Sequence, residues 1–194
     1  NDKILIYDDS KLHSACRCWF SLMYFGHDIE KLYILNGGLK KWKQENKVLT
    51  SKKTNVVKSN YKAFKKDNYI FKIGQINENI NSNNFVVVDA RSLKRFNGEI
   101  EEPRKGLRKG HIKNSLCLPY SECINQATNE FKTNYELKLI FEEIIKTRNN
   151  NKFVFTCGSG VTASVLAYAY KMVNNDYQPI IYDGSWSEYG KYSP

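Results

Sequence analysis

The start of the chain combines apolar runs with a stretch of helical spacing. Residues 4–8 (ILIYD) are mostly apolar and predict a buried strand, and a stretch with apolar residues at helical spacing follows through Phe25. A second apolar run, YILNGG at residues 33–38, reaches a glycine turn and predicts another strand. The pattern therefore predicts a unit of strand, helix and strand.

The same order of elements recurs near the end of the chain. The elements are FVFTC at residues 153–157, a helix-like stretch over residues 162–173, and IIYDGSW at residues 180–186. When the two copies are aligned, Asp8 corresponds to Cys157 and Gly37 corresponds to Gly184. The recurrence indicates a duplicated unit, and its short crossovers place the strands in a parallel sheet.

Further elements precede the second copy. Runs at residues 85–91 and 110–120 predict strands, and residues 135–146 have helical spacing. Nothing equivalent precedes Lys3. We expect upstream sequence, because half a domain leaves strand edges and an apolar face uncovered.

The predicted organisation has three parts. Residues 1–50 form the second half of an incomplete domain, residues 51–72 form a polar linker, and residues 73–194 form one nearly complete domain. The predicted fold class is α/β, with a central parallel sheet flanked by helices.

Composition narrows the function classes. The 194 residues are 41% hydrophobic and 26% charged, which is ordinary for a globular protein. No apolar run approaches the roughly 20 residues that span a bilayer, so no membrane partner is predicted. The net charge of +10 comes from scattered Lys and Arg, which favours a solvated surface that attracts small anions over one that binds nucleic acid.

The cysteine count is odd, with neither CxxC pairs nor His at metal-ligand spacing. The five residues are Cys16, Cys18, Cys117, Cys123 and Cys157. This pattern favours free thiols in a reducing compartment, cytoplasmic or mitochondrial, over a disulfide framework or a zinc site. Cys16 and Cys18 lie two residues apart in a helix-like stretch and diverge, so we expect core or surface positions for them. His13, His27 and His111 are expected to be structural.

Cys157 lies where a predicted strand ends and a helix begins. Ligands bind at such strand ends in open parallel sheets. The following loop, Gly158, Ser159, Gly160, Val161 and Thr162, can point successive backbone N–H groups inward and stabilise an anion such as a thiolate. The alternative is a buried structural cysteine before an ordinary glycine turn.

Two chemistries use a cysteine in such a loop. A cysteine phosphatase needs an Arg after the loop to grip the phosphate, and this chain has Ala163 there. Phosphatase activity is therefore not expected, and sulfur transfer fits better.

The chain resembles the two-domain rhodanese family, in its 3-mercaptopyruvate sulfurtransferase branch. The catalytic domain of that family is similar to CGSGVTA at residues 157–163, the segment at residues 87–112 and YDGSW at residues 182–186. Residues 7–27 and 35–42 resemble the second half of the non-catalytic first domain, where Asp8 replaces the thiol.

The resemblance implies a role for each matching residue. Cys157 is the nucleophile that holds sulfur as a persulfide, the loop amides stabilise its charge, and Ser159 helps in proton transfer. Arg95 and Arg104 match the substrate-binding arginines, and a planar guanidinium suits the carboxylate of an α-keto acid. The alternative for both is a surface ion pair with Glu99, Glu101 or Glu102.

The resemblance also implies the donor and the acceptors. Thiosulfate-preferring members carry basic residues in the loop, whereas this loop carries Gly158, Ser159 and Gly160, so 3-mercaptopyruvate is the expected donor. The sulfur then passes to thioredoxin, another thiol or cyanide, with neither cofactor nor metal. The alternatives are a thiosulfate sulfurtransferase and a persulfide relay module for tRNA thiolation.

Overall fold

The computed structural model describes residues 2–148, 150 and 152–191. The first part of the chain forms these elements: β1 (Ile4–Ile6), α1 (Ala15–Tyr24), β2 (Leu32–Ile34) and α2 (Gly38–Gln44). β1 and β2 pair in parallel, with Ile4 opposite Leu32. The predicted order of strand, helix and strand is therefore present, but the expected burial of the first strand is wrong: Leu5 in β1 is 58% exposed.

The second part contains more elements. They are β3 (Ile70–Phe71), α3 (Ile73–Ser82), β4 (Val86–Asp89), α4 (Leu93–Phe96), β5 (Leu116–Cys117), β6 (Ile124–Asn125), β7 (Glu130–Phe131), α5 (Asn134–Arg148), β8 (Phe153–Thr156), α6 (Ala163–Val173), β9 (Ile181–Tyr182) and α7 (Ser185–Tyr189). The predicted strands and helices are again present, although most strands are shorter than the apolar runs that predicted them.

A parallel sheet forms the centre of the second part. Its strand order is β3-β9-β8-β4-β5, and β6 and β7 form a separate antiparallel pair. The neighbouring inner strands β4 and β8 are buried along their whole length, which explains why each has three consecutive apolar residues before its last, polar one. This arrangement confirms the predicted α/β class with a central parallel sheet.

Helices cover both faces of this sheet. Val88 and Phe155 face a core shared with α5 and α6, whereas Val87 and Val154 face a second core that includes residues of α3 and α7. Successive strand residues point to opposite faces, so each central strand contributes to both cores.

The first part packs against α6 and shares its core. Trp19 of α1 is buried and meets Tyr168 of α6 edge to face, with ring centroids 5.0 Å apart. The same core contains Ile6 and Leu32 from the first parallel pair. α1 is thereby held beside the helix that follows Cys157.

The predicted linker differs from the structure at its end. Residues 51–66 lack helix and strand and are almost entirely exposed, as expected of a linker. Ile70 and Phe71, however, form strand β3 and pair with β9, so the sheet begins before residue 73. Residues 192–194 of the predicted second domain lie outside the described residues. Within those residues, no helix combines the length and the apolar character needed to cross a membrane.

Candidate active site

Cys157 directly follows strand β8 and precedes helix α6. Its Sγ atom accepts hydrogen bonds from the backbone N–H groups of Ser159, at 3.4 Å, and Gly160, at 3.1 Å. Gly160 has a φ of +80°, a left-handed conformation that glycine adopts without strain. The predicted loop therefore turns around the sulfur.

Two of the predicted loop amides reach the sulfur directly. Among the described residues, the N–H groups of Gly158, Val161 and Thr162 form no hydrogen bond with Sγ. The carbonyls of Val161 and Thr162 accept hydrogen bonds from the first turn of α6. Of the five loop residues whose amides are expected to stabilise the charge of the sulfur, Ser159 and Gly160 therefore donate a hydrogen bond to Sγ. The chain reaches the helix within three residues of Gly160, which leaves Val161 and Thr162 at the helix start.

The thiol is more enclosed than the sequence indicates. Cys157 is 2% exposed. Its surroundings nevertheless differ from an apolar core position, because two N–H dipoles point at the sulfur. Such donors stabilise a thiolate, whereas apolar burial alone would disfavour it.

Helix α7 fixes the backbone of the loop. The N–H of Trp186 donates to the carbonyl of Cys157, and the N–H of Ser187 donates to the carbonyl of Gly158, both at 2.9 Å. The N–H of Cys157 donates to Oγ of Ser185, whose hydroxyl donates in turn to the carbonyl of Tyr182. Sequence reasoning missed Ser185, because a serine at a helix start is ordinarily explained by capping.

Both predicted arginines lie beside the loop. A methyl group added at Gly158 would lie 3.0 Å from Nη2 of Arg95 and 3.6 Å from Nη1 of Arg104. Arg95 belongs to the short helix α4, and Arg104 lies in the exposed segment after it. Two guanidinium groups therefore come together next to the thiol-bearing loop.

Arg95 also forms the ion pair that was the alternative prediction. Its Nη2 lies 2.6 Å from Oε2 of Glu102, and its Nε lies 3.1 Å from Oε1 of the same carboxylate. Arg104, in contrast, forms no ion pair with another residue in the described ranges. Arg95 thus forms the ion pair with Glu102 and also lies beside Gly158, so an ion-pair role and a substrate-binding role are compatible.

Glu102 is held by a second arginine, Arg91. The Arg91 side chain is 0% exposed, donates to Oε1 of Glu102 at 2.8 Å and to both carboxylate oxygens of Asp89, and lies over the ring of Trp186. Burial alone would raise the pKa of Glu102, but the hydrogen bonds and charges of Arg95 and Arg91 outweigh it and lower the pKa. Glu102 is thus an anion that anchors Arg95.

A residue of the first part also reaches the loop. Nη1 of Arg17, on α1, donates to the carbonyl of Gly160 at 3.4 Å and forms an ion pair with Asp183. A methyl group at Gly160 would meet both side chains. Sequence reasoning missed Arg17 and Asp183, because 166 positions separate them.

The other cysteines and the histidines have structural positions. Cys16 is buried and Cys18 is exposed, which confirms their predicted divergence, and all five cysteines are free thiols. Burial raises the pKa of Cys117 and of Cys123 to about 12, so both stay protonated at neutral pH. His111 lies with Nδ1 2.9 Å from the carbonyl of Phe96 and stacks on its ring, in agreement with a structural role.

No metal centre accompanies the thiol in the described part of the chain. There, the His, Cys, Asp and Glu side chains form no group of three or more that could hold a metal ion.

The first part carries a carboxylate in the position corresponding to the thiol. Asp8 accepts hydrogen bonds from Oγ of Ser14, at 2.7 Å, and from the N–H of Ala15, at 2.9 Å. The N–H of Leu39 donates to the carbonyl of Asp8 at 2.9 Å, as Trp186 donates to Cys157. The carboxylate of Asp8 therefore lies at the N-terminus of α1, where the helix dipole favours negative charge.

Comparison with known proteins gives one family and several relatives. Residues 73–192 match the model of the Rhodanese-like domain. Over 96% of this chain, the identity is 37% to human 3-mercaptopyruvate sulfurtransferase and 35% to that of Escherichia coli K12. The crystal structure of Tum1 protein from Saccharomyces cerevisiae, 26% identical, superposes with a TM-score of 0.81 over 97% of this chain and 66% of that one.

The matched relatives are longer than this chain. It spans 62% of the human protein and 64% of the bacterial one. The similarity includes the thiol-bearing loop and the first part that packs against it.

Proposed function

Because the chain belongs to the rhodanese-like domain family, we propose that it is a sulfurtransferase that takes sulfur from 3-mercaptopyruvate onto Cys157. The proposal rests on one observation above all: two backbone N–H groups donate to Sγ of Cys157. The guanidinium groups of Arg95 and Arg104 lie beside the same loop.

The first half of the reaction forms a persulfide. The thiolate of Cys157 attacks the sulfur of 3-mercaptopyruvate, an S–S bond forms, and the C–S bond of the donor breaks. The electron pair of that bond leaves with the carbon as the enolate of pyruvate, which then takes up a proton, and Ser159 is proposed to assist this proton transfer. Arg95 and Arg104 bind the donor carboxylate and offset the charge of the enolate.

The second half of the reaction releases the outer sulfur. A thiolate acceptor attacks that sulfur, a new S–S bond forms on the acceptor, and Cys157 leaves as a thiolate. Thioredoxin or another thiol is the proposed acceptor, with cyanide as a substitute. No cofactor enters either half of this scheme, and a cytoplasmic or mitochondrial location would keep the acceptor thiols reduced.

The donor assignment rests on the charge of the loop. Its residues between Cys157 and the start of α6 carry no side-chain charge, and two guanidinium groups, those of Arg95 and Arg104, lie beside Gly158. Two guanidinium forks suit a planar carboxylate.

We also propose that the chain combines two rhodanese-like domains. Residues 1–50 would be the second half of a non-catalytic domain and residues 73–194 the catalytic domain, joined by a linker at residues 51–72 whose end forms strand β3 of the same sheet as β9. The matching hydrogen bonds to the carbonyls of Asp8 and Cys157 support this assignment.

Mass spectrometry after brief exposure to 3-mercaptopyruvate tests the function. The peptide that contains Cys157 should gain one sulfur atom, and Cys157→Ser should abolish both this gain and pyruvate release. Cys18→Ser is the matched control, because Cys18 is an exposed free thiol far along the chain from the loop, and it should keep full activity.

The outcomes separate the proposal from its alternatives. Sulfur gain at a different cysteine, or pyruvate release by Cys157→Ser, would contradict it. Much faster loading by thiosulfate would indicate a thiosulfate sulfurtransferase. Loading by a partner persulfide with little turnover of the keto acid would indicate a relay module.

A further inference from the structure

Arg17 contacts the thiol-bearing loop from outside the rhodanese-like match. It lies in the first turn of α1, whereas the matched residues begin at 73. Its Nη1 atom is shared between the carbonyl of Gly160, at 3.4 Å, and the carboxylate of Asp183. One guanidinium group therefore joins α1, the loop and the end of β9.

Gly160 is the residue through which this contact can act on the thiol. Its N–H donates to Sγ of Cys157 at 3.1 Å, and its carbonyl accepts from Arg17 and from Oγ of Ser164. The two peptide groups that flank its Cα are thus both bonded, with the left-handed φ between them. A shift of the carbonyl that altered the backbone angles of Gly160 would also change the direction of the N–H that faces the sulfur.

Asp183 makes the charge of Arg17 necessary. Its carboxylate lies so close to the loop that a methyl group at Gly160 would be 2.6 Å from Oδ1. At the other end of the loop, Arg95 and Arg104 lie beside Gly158, and Arg95 is paired with Glu102. Without Arg17, Asp183 would add an unpaired negative charge beside a developing thiolate, and like charges disfavour each other.

The ion pair itself contributes little to folding. The side chains of Arg17 and Asp183 are 31% and 38% exposed, and ion pairs with this much solvent access are weak in water. A role in stability is therefore a poor explanation for the contact. A role in orienting the loop explains both the hydrogen bond to the Gly160 carbonyl and the ion pair with Asp183.

We propose that Arg17 is a positioning residue for the nucleophile: it holds the Gly160 carbonyl and neutralises Asp183, so that the Gly160 N–H stays aimed at Cys157. The inference rests on the proposed function in assigning Cys157 as the nucleophile. It makes the reactivity of the thiol depend on the first part of the chain.

The test measures alkylation of Cys157 by iodoacetamide as a function of pH, followed on the peptide that contains this residue. Arg17→Ala should slow alkylation at neutral pH about tenfold, the scale of a lost charge-assisted hydrogen bond, and shift the pH profile upward. Arg17→Lys should retain most of the rate. The midpoint of urea unfolding should change little, which a purely structural role would not predict.

A double variant isolates the charge. Asp183→Asn introduced into Arg17→Ala removes the unpaired carboxylate and should recover part of the lost rate. The matched control is Lys43→Ala, which breaks the exposed ion pair with Asp9 in the same part of the chain and should leave alkylation unchanged.

Two results would overturn the inference. One is an Arg17→Ala protein with the wild-type unfolding midpoint and the wild-type alkylation profile. The other applies if that variant does not fold: Arg17→Gln and Arg17→Lys then replace it, and equal alkylation rates for these two variants would overturn the inference. Because iodoacetamide needs no sulfur donor, failure of 3-mercaptopyruvate to load Cys157 would contradict the proposed function and leave this inference standing.

Discussion

The Nη2 atom of Arg95 lies 2.6 Å from Oε2 of Glu102, whose side chain is 1% exposed. The same carboxylate accepts from Arg91, which is fully buried. Because Glu102 cannot move without breaking both bonds, the guanidinium group of Arg95 is fixed beside Gly158 before any substrate arrives. Preorganised cations of this kind cost no rearrangement during a reaction.

Glu102→Gln should therefore weaken use of 3-mercaptopyruvate. The amide keeps the shape of the carboxylate but loses its charge, so Arg95 is held less firmly. We expect kcat/KM for pyruvate release to fall by about tenfold to a hundredfold, the range for one charge-assisted hydrogen bond. Glu101→Gln is the control, since Glu101 is exposed and pairs with Lys109, and an equal loss in both variants would contradict the assignment.

The lowered pKa of Glu102 predicts how stability depends on pH. A carboxyl group with a folded-state pKa below its ordinary value of 4.5 stabilises the fold above that value and loses this contribution as the pH falls through the lowered pKa. Urea unfolding should show Glu102→Gln less stable than wild type by about 3 kcal/mol at neutral pH, as for a broken buried ion pair. The difference should shrink below pH 4.5. A difference that stays constant with pH would contradict this prediction.

The two arginines should differ in what their removal affects. Arg95→Ala and Arg104→Ala should each weaken transition-state binding of the keto acid by about 2 to 4 kcal/mol, the scale of a lost charged contact. Arg104 forms no ion pair within the described residues, so Arg104→Ala should leave the urea midpoint unchanged. Arg95→Ala removes one partner of Glu102 and should therefore lower the midpoint of urea unfolding. Kinetics unchanged from wild type would remove either residue from the site, and Lys105→Ala provides the exposed control.

The sequence predicted much of the fold because the inner strands β4 and β8 are buried on both faces. The runs that became β4 and β8 are continuously apolar, and the helices between strands have apolar residues at regular spacing. Strand β3 was assigned to the linker, because two apolar residues after a long polar segment give no periodicity to detect.

The site could be predicted where its chemistry is local in sequence. Cys157 and its loop are consecutive, and the strand end and glycines identify them. Arg17, Asp183 and Ser185 act through contacts that only the folded chain creates. The sequence predicts the carboxylate of Glu102 as one possible ion-pair partner, but its sharing by two arginines depends on the burial of Arg91.

Gly160→Ala should separate backbone strain from damage to the site. The left-handed φ of +80° disfavours any residue with a Cβ by about 1 to 2 kcal/mol, and here the added methyl group would lie 2.6 Å from Asp183 and 2.7 Å from Arg17.

Gly106 provides a matched control, because its φ is +79° and nothing lies within 4 Å of an added methyl group. Gly106→Ala should lower the free energy of unfolding by about the backbone strain alone and should keep sulfur loading. Gly160→Ala should in addition reduce the sulfur gain at Cys157 by at least about tenfold, as expected when one charge-assisted hydrogen bond is displaced. The measurements are urea unfolding and mass spectrometry of the Cys157 peptide after exposure to 3-mercaptopyruvate. Equal sulfur loading in the two variants would show that the thiol does not depend on the conformation of Gly160.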